Sequence, residues 1–352
     1  MIRKLERTTL NYHRFISKIL PLLVFVSGIF QLSSCGPEEN PQVELNDPEI
    51  QVIEINTANQ SGHFYNLALK KTVSSFAMND WDLKFCSHND KFYIYQNTAK
   101  NMRIARYDGK FSDPISSQAG FAWKKDIVKD GKEITAMGSW GDFTFLNPKS
   151  YGYTYILDLG YINYVNEFGY RKIQVLGCSN NIYTLRIAQL DDPEGDTVKI
   201  EKRPELNYVY FSFKNKGTLV DIEPSNNDWD LLFTQYGLSK PIVKDSLTTD
   251  TSYHQTDYVI LNTNGRAITC DTARSFDKIT FWDAEKYVYH SIFNFIGNNW
   301  RFLDFGSSNY RLSPTKVFII RDTKNHIYKI EFKSIQKTGS GYTRIEFRIK
   351  NL

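Results

Sequence analysis

Beyond residue 36, hydrophobic and polar positions alternate with period two rather than recurring every third or fourth place. Tyr183, Leu185 and Ile187 stand between polar residues, and Tyr328, Ile330 and Phe332 alternate with Lys329, Glu331 and Lys333. Such alternation puts one side of an extended strand inward and the other in water. No 15-residue stretch after position 36 carries a helical stripe. Aromatics make up 15% of the chain, with 22 Tyr and 24 Phe, and Val, Ile and Thr are frequent. That mix suits pleated, half-buried strands. The chain is predicted to be all-β and antiparallel.

One strand is written twice. "NDWDLKF" at 79–85 returns as "NDWDLLF" at 227–233, with six of seven residues the same and a spacing of 148. Trp81, Leu83 and Phe85 share one face of the first strand, and Trp229, Leu231 and Phe233 share one face of the second. Asp82 and Asp230 fall on the other face. They read as outward residues capping local backbone, not as a catalytic pair. Asn-Asp ahead of each Trp is turn chemistry. Each Trp is expected to anchor its own domain's core, since an aromatic of that size buries about 150–250 Å².

Further landmarks keep nearly the same spacing. Residues 171–201 lie over 316–346 at 145, with matching turns ("GCSNN" and "DTKNH", "DDPEGD" and "QKTGSG"). Each stretch therefore reads as a three-stranded meander. "LDLG" (157–160) and "LDFG" (303–306) stand 146 apart. "FYNLALKK" (64–71) and "YVYFSFKNK" (208–216) supply each copy's first strand. The reading is an internal duplication giving two tandem, similar antiparallel β-domains over 61–206 and 207–352.

The N-terminus differs from all of this. Arg3, Lys4, Arg7, Arg14 and Lys18 precede the apolar run "ILPLLVFVSGIF" (19–30), which is the layout of a secretion signal rather than a spanning helix. The run closes on "LSSC", which resembles a bacterial lipobox. Residues 1–34 are thus a lipoprotein signal peptide, Cys35 the lipidated residue, and 35–60, with Pro37, Pro41 and Pro48, a lipidated tether. Each buried methylene of an acyl chain contributes about 0.8 kcal/mol, so two or three chains hold a protein to a membrane lastingly. Glu38 and Glu39 resemble the acidic signal that sends lipoproteins to the exterior face of an outer membrane.

Charge narrows the partners. The chain has 43 basic and 39 acidic residues; removing the five basic residues and Glu6 of the signal leaves 38 of each. A balanced chain without a basic patch gives no basis for nucleic-acid binding, which draws on clustered Lys and Arg. Cys86, Cys178 and Cys270 remain after Cys35. Three thiols cannot all pair, which excludes a disulfide scaffold and leaves room for one bridge; the expected state is three small buried hydrophobes.

The lipobox, the W-D-L-x-F strand, the "NTNG" turn at 262–265, the closing strands "VFIIRDTKNHIYKIEFKSI" (317–335) and the "GSG" turn at 339–341 resemble the HmuY-type haem-binding lipoproteins. The resemblance covers 209–352 well and 64–205 less well, where "QNTAK" replaces the Gly-bearing turn. It implies an all-β fold. It also implies haem held by two His or Met side chains from a segment between turn and meander. In that segment the second copy offers His290, and the first copy Met137. Met102 follows the first copy's turn, and His254 precedes the second's. Trp282, Tyr287, Tyr289 and Phe293 are candidates for the walls of a flat apolar pocket.

No H-E-x-x-H, G-x-S-x-G, C-x-x-C or phosphate-cradling glycine loop is present, so the chain is not expected to be an enzyme. "DDPEGD" lacks the spacing of a calcium loop. The resemblance implies a surface-anchored lipoprotein that binds haem or a related tetrapyrrole and delivers it for uptake, with an outer-membrane haem transporter or a host haem protein as partner. The alternative is a non-catalytic protein- or glycan-binding surface lipoprotein that has lost haem ligation.

Overall fold

The computed structural model describes residues 47–352 apart from 57–59, 162–167, 244–248, 305, 307–308 and 340. The signal peptide and Cys35 lie outside the described residues. What is described is nearly all-β, with antiparallel sheets and only short helical turns.

Two four-stranded sheets lie at the centre of the architecture, and both are shared between the halves. In one, the hairpin Tyr208–Ser212/Thr218–Val220 pairs with Leu83–Cys86, which pairs in turn with Ile94–Gln96. In the other, the hairpin Gly62–Asn66/Lys71–Phe76 pairs with the long strand Leu231–Val243, itself paired with Thr249–Leu261. Phe211 stands opposite Leu83, and Tyr65 stands opposite Leu231. The hairpin that opens each half therefore completes the sheet of the other half.

The cores follow this exchange. Leu83, Phe85, Trp140, Tyr155, Tyr183 and Leu185 form one cluster, and Val209, Phe211 and Phe213 enter it from the later hairpin. Leu231, Phe233, Trp300, Phe318, Phe332 and Phe347 form another, entered by Tyr65 and Leu67 from the earlier hairpin. A third cluster between them holds Phe64, Trp81, Tyr210 and Trp229. Phe64 meets Trp229 edge-on at 4.8 Å, and Tyr210 meets Trp81 edge-on at 5.1 Å. Contacts of this geometry add about 0.5–1.5 kcal/mol beyond area burial. The two Trp residues do not anchor separate cores. They share the central one, apart from the Leu and Phe of their own strands.

The outward assignment of Asp82 and Asp230 is likewise corrected, because both are buried. Period-two alternation implies a wet face only where one side of the sheet meets water, and here both sides of the central strands are covered. Asp82 pairs with Lys100, and its second oxygen accepts from the backbone N–H of Phe213 at 2.7 Å. Asp230 pairs with Arg266 at 2.8 Å and accepts from the backbone N–H of Leu67 at 2.8 Å. The turns after these strands also correspond. Asn97 Nδ2 donates to the carbonyls of Met78 and Trp81, and Asn262 Nδ2 to those of Asn226 and Trp229. "QNTAK" and "NTNG" thus tie the same peptide in place.

The meanders are present as Tyr170–Ser179, Ile182–Ala188 and Asp196–Glu201, and as Val317–Arg321, Ile327–Lys337 and Tyr342–Asn351. "LDLG" and "LDFG" do not correspond. Leu157 and Asp158 end a strand of the large sheet, whereas Leu303 and Asp304 end a separate two-stranded ribbon. The expected tether also stops short. Glu49–Asn56 is a strand paired along its length with Tyr342–Asn351, because Ile53 and Ile55 are buried in the second core. Cys86 and Cys178 are free and buried, and Cys270 is free and half-buried.

Candidate functional site

The exchanged sheets leave a cavity of about 720 Å³ between the halves. Lys84 and Cys86 of one central strand, Leu232 of the other, and Ile260 and Leu261 beside it reach this space. Tyr93, Tyr95, Tyr208, Tyr210, Trp229 and Phe293 give it an aromatic lining. Tyr95 and Tyr208 meet edge-on at 5.9 Å.

Buried charges around the cavity are matched. Lys84 bonds Glu133 at 2.8 Å and lies 4.5 Å from the centre of the Tyr208 ring. Tyr236 donates its hydroxyl to the same carboxylate at 2.5 Å. Pairing of this kind offsets the desolvation that an isolated buried charge would suffer. Glu223, also on the cavity, makes no direct ion pair among the described residues. Its carboxyl accepts from Asn207 N, Asn207 Nδ2 and Tyr208 N at 2.8–3.1 Å. Burial pushes Glu223 up to about 7 against these bonds. Behind the hairpin that carries Glu133, Asp126 is also pushed up to about 7 by burial, although Gln96 N and Ala136 N donate to it.

His88 sits at this cavity in the turn after Leu83–Cys86. The turn is fixed from beneath by Lys202, whose ammonium donates to the carbonyls of His88, at 2.7 Å, and Lys91, at 2.8 Å. Burial lowers the His88 pKa, and the nearby Lys91 lowers it further. The ring is thereby held neutral at pH 7, the form that offers a nitrogen lone pair to a metal. Sequence reasoning passed over His88. It lies ahead of the first half's turn, outside the segment where the family resemblance directs attention, and only the pairing of the halves brings it onto a cavity. A histidine between two aromatic strands ("FCSHNDKFYIY") is the available signal.

The residues singled out in the sequence do not assemble there as a set. Phe293 lines the cavity. His290 is exposed, bridges Ile268 through its backbone and stacks its ring on Phe295. Met137 is buried in the first core. Tyr287 and Tyr289 pack on a small cluster around Phe276 and Ile279, where their hydroxyls bond Asp271 and the Ala284 carbonyl. Trp282 is exposed on the short helix Phe281–Ala284. Among the described residues no three His, Cys, Asp or Glu side chains converge as a metal site. Haem iron needs only axial ligands, so the test of fit is the cavity itself. It is large, has seven aromatic side chains in its lining, and carries the His88 imidazole together with Lys91 and Lys132.

Residues 205–348 match the HmuY protein family. No curated protein matches the chain. Among solved structures, apo PinO from Porphyromonas gingivitis aligns over 86% of this chain and 97% of its own, at 11% identity and a TM-score of 0.23. An HmuY-like heme-binding protein from Bacteroides vulgatus aligns over 44% of this chain and 79% of its own, at 13% identity and a TM-score of 0.16. Overlaps this loose carry no geometry across to the present chain.

Proposed function

We propose that the protein, whose residues 205–348 match the HmuY family, binds haem or a related tetrapyrrole in the cavity between its halves. In this reading it is a lipoprotein anchored through Cys35 on the exterior of an outer membrane, and it passes its ligand to an outer-membrane haem transporter. The observation that supports binding most is His88, a neutral imidazole positioned by Lys202 on an aromatic-lined cavity of about 720 Å³. When bound, haem supplies an iron that accepts an axial nitrogen ligand. Tyr93, Tyr95 and Tyr208 would cover the apolar macrocycle, and Lys91 and Lys132 would face its carboxylates.

Titration of the full chain with haemin tests this. A saturable Soret band is expected, and it weakens strongly in His88→Ala while His290→Ala leaves it near the wild-type form. A folded protein that gives no spectral change would sink the haem reading and favour the non-catalytic protein- or glycan-binding alternative.

The two halves are also read as copies of one ancestral unit that exchanged their opening hairpins. Support comes from the matched roles of Asn97 and Asn262 and of Asp82 and Asp230. Experimental coordinates in which these pairs superpose poorly would count against common descent of the halves.

A further inference from the structure

Part of the cavity wall is a ribbon from the first half that belongs to neither shared sheet. Ile127–Lys129 and Lys132–Ile134 pair only with each other. Asp130 and Gly131 join them with positive φ at both positions, as a two-residue hairpin turn requires. The ends of the ribbon are pinned. Asp126 accepts from the backbone N–H groups of Gln96 and Ala136 at 2.6 and 2.7 Å, and the Thr135 hydroxyl donates to the Ile94 carbonyl at 2.5 Å. The tip rests on the second half, where a Cβ on Gly131 would stand 2.9 Å from Ile292 Cγ2. Gly131, Lys132, Glu133 and Ile134 all line the cavity.

Between its pinned ends the ribbon is bonded to the body through one side chain. Glu133 accepts from the Lys84 ammonium with both oxygens, at 2.8 and 3.1 Å, and from the Tyr236 hydroxyl at 2.5 Å. Among the described residues, no other group of 127–134 makes a hydrogen bond or ion pair outside the ribbon. A two-stranded hairpin is marginally stable at best by itself. This carboxylate therefore does much to keep it seated.

The two partners differ in freedom. Lys84 sits on the central strand Leu83–Cys86, and its ammonium also lies 5.1 Å from the centre of the Tyr95 ring and 4.5 Å from that of Tyr208. Glu133 sits on a ribbon that can lift. Their side chains are only 11% and 7% exposed. Further carboxyls crowd the pair, since Glu223 feels the charge of Lys84 and Asp126 that of Glu133. An anion added to this set meets repulsion, whereas one that replaces Glu133 leaves the charge count unchanged.

We propose that Glu133 is a stand-in carboxylate, and that a flat apolar ligand bearing its own carboxylate exchanges for it on Lys84 and so lifts the ribbon. This rests on the reading of the cavity as a ligand site and narrows the ligands to acids. Without ligand, Glu133 spares Lys84 an unpaired buried charge. The contact is autoinhibitory, because an incoming acid must displace an intramolecular one. A neutral or esterified analogue has nothing to offer Lys84 and is selected against. A second carboxylate, where a ligand has one, is left to Lys91 and Lys132.

Titration of the full chain with 1-pyrenebutyrate and with its methyl ester, followed by pyrene fluorescence, tests this. Hydrogen exchange of residues 127–134 is read in parallel. The acid should bind about tenfold more tightly than the ester or better, and its binding should speed exchange in the ribbon. Glu133→Gln should speed the same exchange without ligand. It should also tighten the acid by about threefold or more, by removing the competitor, and leave the ester unchanged. Lys84→Met should erase the preference for the acid; should that variant fail to fold, the near-isosteric Glu133→Gln decides. Equal binding of acid and ester, no saturation by the acid, ribbon exchange that does not respond, or weaker acid binding in Glu133→Gln would each overturn the proposal. Haemin titrated into the same samples separates the two readings. Acid exchange without any haemin response sinks the haem reading alone, and a haemin affinity indifferent to Glu133→Gln sinks the exchange alone.

Discussion

Asp230 accepts the backbone N–H of Leu67 at 2.8 Å, across 163 positions of sequence. The carboxylate that is bonded to Arg266 within its own half thus also fastens the strand lent by the other half. Asp82 repeats the arrangement with Lys100 and Phe213. Each buried ion pair therefore joins a turn, a central strand and an exchanged hairpin.

Removing either carboxylate should be costly for the whole protein. Asp230→Ala leaves Arg266 buried without its partner and Leu67 N without an acceptor, and a loss of about 3–5 kcal/mol is expected. Asp82→Ala should behave likewise. Urea unfolding followed by tryptophan fluorescence and by circular dichroism checks this, with both probes reporting one coincident transition. Separate transitions for the two halves would contradict the shared sheets.

Trp81 and Trp229 should be energetically coupled, because both belong to the cluster containing Phe64 and Tyr210. Each Trp→Ala change is expected to cost about 3–5 kcal/mol. The double variant should depart from the sum by about 0.5 kcal/mol or more. Strict additivity in a double-mutant cycle would place the two rings in independent cores.

Stability should decline as pH rises through the weakly acidic range. Glu223 and Asp126 are each held up to about 7 in the folded chain and ionise near 4 when unfolded, at about their ordinary values. Between these limits the folded state binds the additional protons. Their contribution is therefore full below about pH 4 and lost by about pH 7, at up to about 1.4 kcal/mol per pH unit for each group. In chemical-denaturation curves taken across this window, Glu223→Gln should show a smaller decline than the parent. An unchanged pH slope in that variant would remove Glu223 from the account.

Anchoring is tested at Cys35. Under the proposed lipidation of Cys35, Cys35→Ala should release the protein from membranes or stall its processing, because the acyl chains would be its apolar grip. Membrane fractionation that persists in this variant at high salt would rule out the lipobox.

The strands and turns were legible because they rest on local chemistry. Alternation marked both meanders, and the Asn-Asp turns marked the start of each W-D-L-x-F strand. What local pattern does not specify is the partner. "FYNLALKK" and "YVYFSFKNK" are strand only as far as Asn66 and Ser212, and nothing in their letters says that each pairs with the far half. The same gap hid His88, whose position on a cavity depends on that pairing. For Asp82 and Asp230 alternation alone implies a wet face, whereas both are buried because their strands are covered on both sides. "EIQVIEIN" does not stand out from the tether in sequence, because Ile50 and Val52 are exposed and blur the buried Ile53 and Ile55.

That strand also determines how the body is hung. Glu49–Asn56 lies at the edge of its sheet, rung for rung against the last strand, from Glu49 opposite Ile349 to Asn56 opposite Tyr342. A pull arriving through the preceding chain, along the strand axis, loads these rungs together in shear instead of peeling them singly. The mechanical handle of the folded body is then the strand Tyr342–Asn351, and a load on Glu49 is carried into the second core through Ile53 and Ile55.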